Sequence, residues 1–372
     1  MKKINQKGIY IIAAVFFLAG LALLIIFYSN IFFAKNKVND DIVNIQENNV
    51  TNEVKEVCDF VRLLDGVCVK TQEETNPELV AVMIENHTEA RPQSGLAYAS
   101  VVYEAPVEAN YSRFMAIFSK DVDVAKIGPV RSARKYYLDW LREYGKDIMY
   151  MHVGGSPEAL QIIKTDKNIF DFNEFSKGPY FWRSTDRYAP HNVYTNSENW
   201  QIAWEKLGTK ENTEFKTWKF ESLENCIKEE DNCVNKITVS FLPPTYEAVW
   251  NYSSSTKKYL RSQIEGKHRD LDGTVIEADT IIVQKVTSKV LDEVGRLQID
   301  TIGSGEAIIF QNGHILEGTW KKETVTGRTR WLDKSGNEIP LKAGKIWIEV
   351  VNERGNVEWG TLPDGGQAGN VE

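Results

Sequence analysis

The 372-residue sequence lacks every short motif that would assign a chemistry on its own. It has no GxGxxG, P-loop or HExxH pattern, which excludes the usual dinucleotide, nucleotide-phosphate and zinc-protease fingerprints. It has no GxSxG elbow, so the serine nucleophile of an α/β-hydrolase is not expected. No histidines and acids stand at metal-ligand spacing, and we therefore expect neither a metal site nor a cofactor.

An excess of positive charge is also missing. The formal net charge is −8, and residues 34–372 carry 41 basic and 52 acidic side chains. Because nucleic-acid binding needs an extended cationic surface, this balance predicts no nucleic-acid partner. This charge balance is still compatible with a local arginine pocket that holds one small anion.

Cysteine is scarce, with two close pairs in polar sequence. Cys58 and Cys68 are ten residues apart, and Cys226 and Cys233 are seven apart. A four-thiolate zinc site would need tighter C-x2–4-C spacing. Two local disulfides in an oxidising compartment are therefore expected, with free thiols as the alternative.

One long apolar run, residues 9–33, follows Lys2, Lys3 and Lys7. About 20 apolar residues suffice to cross a bilayer, whereas the core of a cleaved signal peptide has about 7–15. Residues 1–33 are therefore predicted to be a cytoplasmic tip and a single-pass transmembrane signal-anchor, with the bulk of the chain outside the cytoplasm. The polar residues 34–57 predict a disordered stalk.

Two different sequence patterns follow along the chain. Apolar runs typical of buried strands alternate with helical patterns at residues 132–144, 156–163 and 197–207, which predicts an α/β domain over residues 58–215. The polar residues 216–235, with the second Cys pair, predict a linker. Short strand-like runs separated by turn signals then predict a smaller, mainly antiparallel β domain over residues 236–362, with Trp320, Trp331 and Trp347 in its core, and a loose tail over 363–372.

Arginine, histidine, glycine and proline concentrate in the breaks between apolar runs from residue 113 to residue 192. Arg131 and Arg134 stand three apart at a strand-to-helix turn, a spacing that predicts a site for a carboxylate or phosphate. The alternative is that each arginine pairs with a buried acid, such as Glu104 or Glu108, and binds nothing. The predicted ligand-binding residues are Arg113, Arg131, Arg134, Gly154, Gly155, Ser156, Arg183 and Asn192.

Two histidines in these breaks are candidate general bases. His152 stands at a strand end before Gly154 and a helix N-terminus, a position typical of ligand sites in α/β proteins, and a neutral imidazole there could accept a proton. The alternative is a half-buried histidine bonded to the backbone. Ser156 reads as a helix cap rather than a nucleophile. His191, with Asn192, is either a second polar contributor or part of a rigid turn.

Nine stretches of the chain match one known family: residues 90–96, 102–104, 112–114, 128–134, 152–156, 189–192, 303–306, 318–321 and 347–348. Over about residues 60–355 the chain thus resembles the DUF3048 family of membrane-attached bacterial proteins. The resemblance implies a two-domain layout, an extracytoplasmic address and work near cell-wall synthesis, but no reaction. Many relatives carry a Leu-Ala-Gly-Cys lipidation signal. This chain has Leu21 after Leu18-Ala19-Gly20, so a peptide anchor is expected instead.

These observations predict a membrane-anchored extracytoplasmic binding or accessory protein, with cell-wall synthesis proteins as partners and an Arg/His pocket for a small anionic ligand. One alternative is an envelope hydrolase or transferase acting on a glycan or peptide, with His152 or His191 as base. Another is a structural protein without a ligand. The pocket requires Arg113, Arg131, Arg134 and the two histidines to meet at one open cleft.

Overall fold

Strand-forming sequence dominates residues 58–207, 215–221, 224–226 and 233–360, which a computed structural model describes. The α-helices there are α1 (Lys135–Leu141), α2 (Pro157–Thr165), α3 (Glu174–Lys177) and α4 (Ser197–Leu207). The strands are β1 (Phe60–Val61), β2 (Cys68–Val69), β3 (Leu79–Glu85), β4 (Val101–Pro106), β5 (Ser112–Ser119), β6 (Ile148–His152), β7 (Ile169–Asn173), β8 (Trp182–Arg183), β9 (Val193–Tyr194), β10 (Lys236–Ser240), β11 (Ala248–Ser253), β12 (Lys258–Gln263), β13 (Gly266–Lys267), β14 (Glu277–Ala278), β15 (Thr280–Lys285), β16 (Ser288–Val290), β17 (Leu297–Ile299), β18 (Gly303–Gln311), β19 (His314–Lys322), β20 (Arg330–Leu332), β21 (Ile346–Val351) and β22 (Asn356–Gly360).

The main sheet has ten strands in the order β20-β19-β18-β15-β21-β4-β5-β3-β6-β7. Strands β3 and β5 are antiparallel, and β6 and β7 follow β3 in parallel. Strand β21 runs parallel to both of its neighbours, β15 and β4, with Trp347 opposite Val102. This one sheet therefore contains strands from both halves of the chain.

The prediction of an α/β domain followed by a separate, smaller β domain is wrong. The described chain is mainly β-sheet with few short helices, and its main sheet crosses the predicted linker. The physical reason lies in β21, whose six residues are all buried. A strand that is apolar on both faces is stable only inside a sheet that is covered on both faces. β21 meets that condition by joining β15 to β4.

The core lies on both faces of the main sheet. Val80, Val82 and Ile84 of β3 point to one face, which packs against the second sheet (β13-β12-β11-β10-β22) and α4. Leu79, Ala81 and Met83 point to the opposite face, which α1 covers with Trp140. The three tryptophans assigned to the core from sequence are buried there, which confirms that prediction: Trp320, Trp331 and Trp347.

The cysteines pair as their spacing predicts. Cys58 joins Cys68 across the β1–β2 pair, with their Cα atoms 5.5 Å apart. Cys226 joins Cys233 with a Cα separation of 5.6 Å. Both predicted disulfides are therefore confirmed.

The predicted transmembrane helix does not gain support from the structure. Residues 1–33 and the predicted stalk and tail lie outside the described residues. Among the residues that are described, no helix has the length and apolar character needed to span a membrane.

Candidate functional site

The carboxylate of Glu85, at the end of β3, is the meeting point of two predicted site residues. Its Oε1 accepts from Nε of Arg131 at 2.8 Å, and its Oε2 faces Nδ1 of His191 at 2.8 Å. The Glu85 side chain is buried, so these two partners replace its hydration. Arg131 is thus held by an acid from the neighbouring strand.

A second carboxylate, Glu108, holds Arg134. Nε of Arg134 donates to Glu108 Oε1 at 2.7 Å, and its NH1 donates to the carbonyl of Ala133. Burial acts to raise the pKa of Glu108, but the charges of Arg134 and Arg113 outweigh it and hold that pKa below the ordinary value. Arg113 itself is buried and donates to the carbonyl of Ser132 at 2.8 Å. These contacts match the pairing alternative, with Glu108 as the acid for Arg134.

His152 lies apart from these two carboxylates. Its side chain is fully buried, with Nδ1 2.7 Å from the carbonyl of Gly154 and Nε2 2.9 Å from Oδ1 of Asp171. Both ring nitrogens are engaged, and no face of the ring reaches solvent. The geometry is that of a histidine that fastens the end of β6 to β7.

The remaining predicted residues shape the surrounding loops. Ser156 Oγ accepts from the backbone N–H of Ala159 and caps α2, as its sequence context predicts. Gly154 has a φ of 60°, a conformation that favours glycine, and its N–H donates to Asn173. Gly155 packs against Ala133, where an added Cβ would lie 3.2 Å from the alanine side chain.

The exposed side chain of Arg183 bonds to Asn192, which is itself buried. NH1 of Arg183 donates to Oδ1 of Asn192 at 3.0 Å, and NH2 donates to Glu174 at 3.1 Å. The Arg183 side chain is 44% exposed. The structure thus separates the predicted residues into four groups, which lie at Glu85, at Glu108, at the end of β6 and at the Arg183–Asn192 pair. Each arginine among them donates to an oxygen atom.

Sequence reasoning missed a buried polar network between the two sheets. Arg261 of β12 and Glu104 of β4 form a fully buried ion pair at 2.7 Å. NH1 of Arg261 also donates to Nδ1 of His268, and burial together with this guanidinium keeps the pKa of His268 well below its usual value. Glu349, opposite Glu104 in β21, has its pKa raised by burial and by the Glu104 charge. No local pattern marks partners that are 157 residues apart.

The structure also brings together three potential metal ligands that the sequence analysis did not associate. His87, Glu89 and His191 each place one ligand atom within 4.8 Å of the others. The rings of His87 and His191 stack with their centroids 4.8 Å apart. The local signal was the pair His87 and Glu89 directly after a strand. Its third member lies a hundred residues further on.

A cavity of about 700 Å³ opens beside the β19–β20 connection, away from every predicted residue. Its lining includes six cationic side chains and three acidic ones: Arg142, Lys146, Lys216, Lys321, Arg328 and Arg330, with Glu143, Asp166 and Glu323. Arg142 pairs with Asp166, and Lys321 pairs with Glu323. Arg330 pairs with Glu338.

Arg328 differs from these neighbours. Its side chain is 1% exposed, and none of its three nitrogens has a hydrogen-bond partner. The guanidinium lies over the rings of Trp218 and Tyr144, at 3.6 and 4.0 Å from their centroids. The carboxylate of Glu143 is 4.0 Å away and is occupied by Lys322 and Thr329. A cation without hydrogen bonds thus lies under the cavity wall.

Two family models cover most of the chain: residues 64–210 match the N-terminal domain and residues 237–348 the C-terminal domain of a "Protein of unknown function (DUF3048)". The chain belongs to the DUF3048 family. It is 32% identical to "Putative lipoprotein YerB" of Bacillus subtilis (strain 168) over 289 residues, which is 76% of this chain and 84% of that protein. The crystal structure of YerB matches with a TM-score of 0.70 and 30% identity, over 80% of this chain and 99% of that one.

The family resemblance seen in the sequence is therefore confirmed. Two of the stretches that carried it, residues 128–134 and 189–192, supply the two partners of Glu85, namely Arg131 and His191. The two DUF3048 models lie on either side of the predicted linker, whereas strands from both of them share one sheet. The family description assigns no reaction.

Proposed function

We propose that this DUF3048 protein is an extracytoplasmic accessory factor that binds an anionic component of the cell envelope at the cavity beside Arg328. The observation that carries the proposal is the local charge: six cationic and three acidic side chains line a cavity of about 700 Å³, an excess of three positive charges in a chain whose net charge is −8. A local excess of one sign attracts ligands of the other sign.

Arg328 strengthens this attraction from beneath the cavity wall. A buried guanidinium without hydrogen bonds is costly, and the two aromatic rings around it offset only part of that cost. Its positive charge is screened little by water, so it adds to the field in the cavity. An anion seated against Lys216 and Lys321 would lower the energy of this buried charge.

Two separate observations support the proposed extracytoplasmic location. Two disulfides suit an oxidising compartment, and the relative is named "Putative lipoprotein YerB". Proteins of cell-wall synthesis are the proposed partners. Binding rather than catalysis is favoured because His152 is sealed from solvent and His191 has both nitrogens against carboxylates.

Binding should be measured by calorimetry with two probes, a soluble muropeptide that carries carboxylates and a polyol-phosphate oligomer that carries phosphodiesters. The double variant Lys216→Ala/Lys321→Ala should weaken binding of the preferred probe at least tenfold, and added salt should weaken binding to the unmodified protein. Lys334→Ala, which removes an exposed charge in the turn after β20 and outside the cavity lining, is the control. Equal affinity of the double variant and the control would refute the proposal.

Location is tested independently by adding protease to intact protoplasts. The chain should be degraded without lysis, while a cytoplasmic marker stays intact. Full protection of the chain from the protease would contradict the proposed extracytoplasmic location. Affinity capture from solubilised membranes should recover proteins of cell-wall synthesis, and should recover fewer with the lysine double variant.

A further inference from the structure

His191 has an unusual pair of neighbours. Its Nδ1 lies 2.8 Å from Oε2 of Glu85, and its Nε2 lies 3.0 Å from Oε2 of Glu89. A neutral imidazole has only one N–H and cannot donate to two carboxylates. If Nδ1 donates to the buried Glu85, Nε2 of the neutral ring turns its lone pair toward a second anionic oxygen, and either a proton on Nε2 or a bound metal cation relieves that repulsion.

The arrangement behind His191 is the one that orients metal-bound histidines. In such sites the second ring nitrogen donates to a carboxylate, which fixes the tautomer and the direction of the ring. Here Glu85 takes that role, and Arg131 holds Glu85 through its other oxygen at 2.8 Å. The ring of His87, stacked at 4.8 Å on His191, brings a second imidazole to the same place.

The two loops that supply these groups are tied to each other. Arg187, four residues before His191, donates to the carbonyl oxygens of Ala90 and Pro92, in the loop that carries His87 and Glu89. Arg91 in that loop donates to the backbone of Asn86. The backbone that supports the three side chains is therefore held in place before any ion binds.

We propose that His87, Glu89 and His191 form a binding site for a zinc-like divalent transition-metal ion. Two imidazoles and one carboxylate are a donor set that suits Zn²⁺ and leaves one position for water, whereas Mg²⁺ and Ca²⁺ prefer oxygen ligands throughout. This site shares no residue with the cavity at Arg328, and the inference does not depend on the function proposed for that cavity.

The ligand atoms lie near the distances that coordination requires, although the stacked rings of His87 and His191 have to turn so that both face one ion. Ligand bonds of about 2.0–2.2 Å in a tetrahedron place ligand atoms roughly 3.4 Å apart. The Nε2–Oε2 distance of 3.0 Å would widen by a few tenths of an ångström, and the His87 nitrogen would move inward from within 4.8 Å. Glu89 is 71% exposed and can adjust without disturbing the core.

The test is a titration of the purified, metal-free full chain with Zn²⁺, followed by calorimetry, and with Co²⁺, followed by its visible absorption. One ion per chain should bind, and the melting temperature should rise with Zn²⁺. His87→Ala, His191→Ala and Glu89→Gln should each weaken Zn²⁺ binding at least tenfold, and Glu85→Gln should weaken it through the orientation of His191.

Two variants keep the result interpretable. Glu89→Gln changes an exposed side chain and should leave folding intact, so its effect on Zn²⁺ affinity reports the site alone. His314→Ala removes a histidine that hydrogen-bonds the carbonyl of Glu224 and lies outside the His87–Glu89–His191 cluster, and it should bind Zn²⁺ as the unmodified chain does. Unchanged affinity in Glu89→Gln, or no saturable Zn²⁺ binding by the unmodified chain, would overturn the proposal.

Discussion

Arg131 and Arg134 each donate to a carboxylate, at 2.8 and 2.7 Å, whereas Arg328 is almost fully buried and has no hydrogen-bond partner. The first two stand in an arginine-rich stretch that predicts an anion site. Arg328 lies outside that stretch, in the loop between β19 and β20. The comparison teaches that clustering along the chain shows where cations gather, while pairing in three dimensions decides which of them has hydrogen-bonding capacity left for a ligand.

The largest loss of stability is expected when Glu143, the carboxylate next to Arg328, is replaced. Glu143 accepts from Thr329 and pairs with the buried Lys322 at 2.9 Å, with Arg328 at 4.0 Å. Glu143→Gln leaves two buried cations without an anion and should cost about 3–5 kcal/mol of unfolding free energy. Denaturant unfolding measures it. Glu317→Gln, at an exposed pair, is the control, and an equal effect in both would show that the buried charges are compensated elsewhere.

The loss of the two arginines should affect stability to different extents. Arg131→Met removes a partner of the buried Glu85, which keeps His191, and we expect a loss of about 1–3 kcal/mol. Arg328→Met breaks no hydrogen bond; it removes aromatic contacts worth about 2 kcal/mol when desolvated together with a costly buried charge, and because the two effects oppose each other we expect a net change of less than about 1 kcal/mol. Thermal unfolding of the two variants side by side tests the difference. A larger loss for Arg328→Met would reverse the comparison.

Acid should weaken the Glu108 pair selectively. The folded-state pKa of Glu108 lies below its ordinary value of 4.5, so its ion pair stabilises the fold above that value and the contribution is lost as the pH falls through the folded-state pKa. Glu108→Gln should therefore flatten the fall in stability below about pH 4.5. Melting temperature recorded against pH in both proteins is the measurement. If the two curves of melting temperature against pH run parallel, other carboxylates determine the loss of stability at low pH.

The smallest effect is expected at Arg183. Its side chain is 44% exposed, and its contacts with Glu174 and Asn192 compete with water. Arg183→Ala should alter the unfolding free energy by less than about 0.5 kcal/mol. A loss comparable to that of Arg131→Met would show that exposure does not separate these arginines.

The local structure follows closely from local pattern. The apolar run at residues 79–84 forms β3, Ser156 caps α2, and the Cys pairs close as their spacing predicts. Hydrophobic periodicity, capping and short loop closure act between residues near in sequence, so they can be read from the chain itself. The general place of the arginine-rich loops was predictable for the same reason.

Only the tertiary structure decided how these pieces combine. Strand pairing joined β21 to β4 across almost 250 residues and turned two predicted domains into strands of one sheet. It also set Arg261 against Glu104, and His191 beside His87 and Glu89. These partners are selected by burial and by the need to satisfy each buried polar group, which depend on the whole fold rather than on neighbours in the sequence.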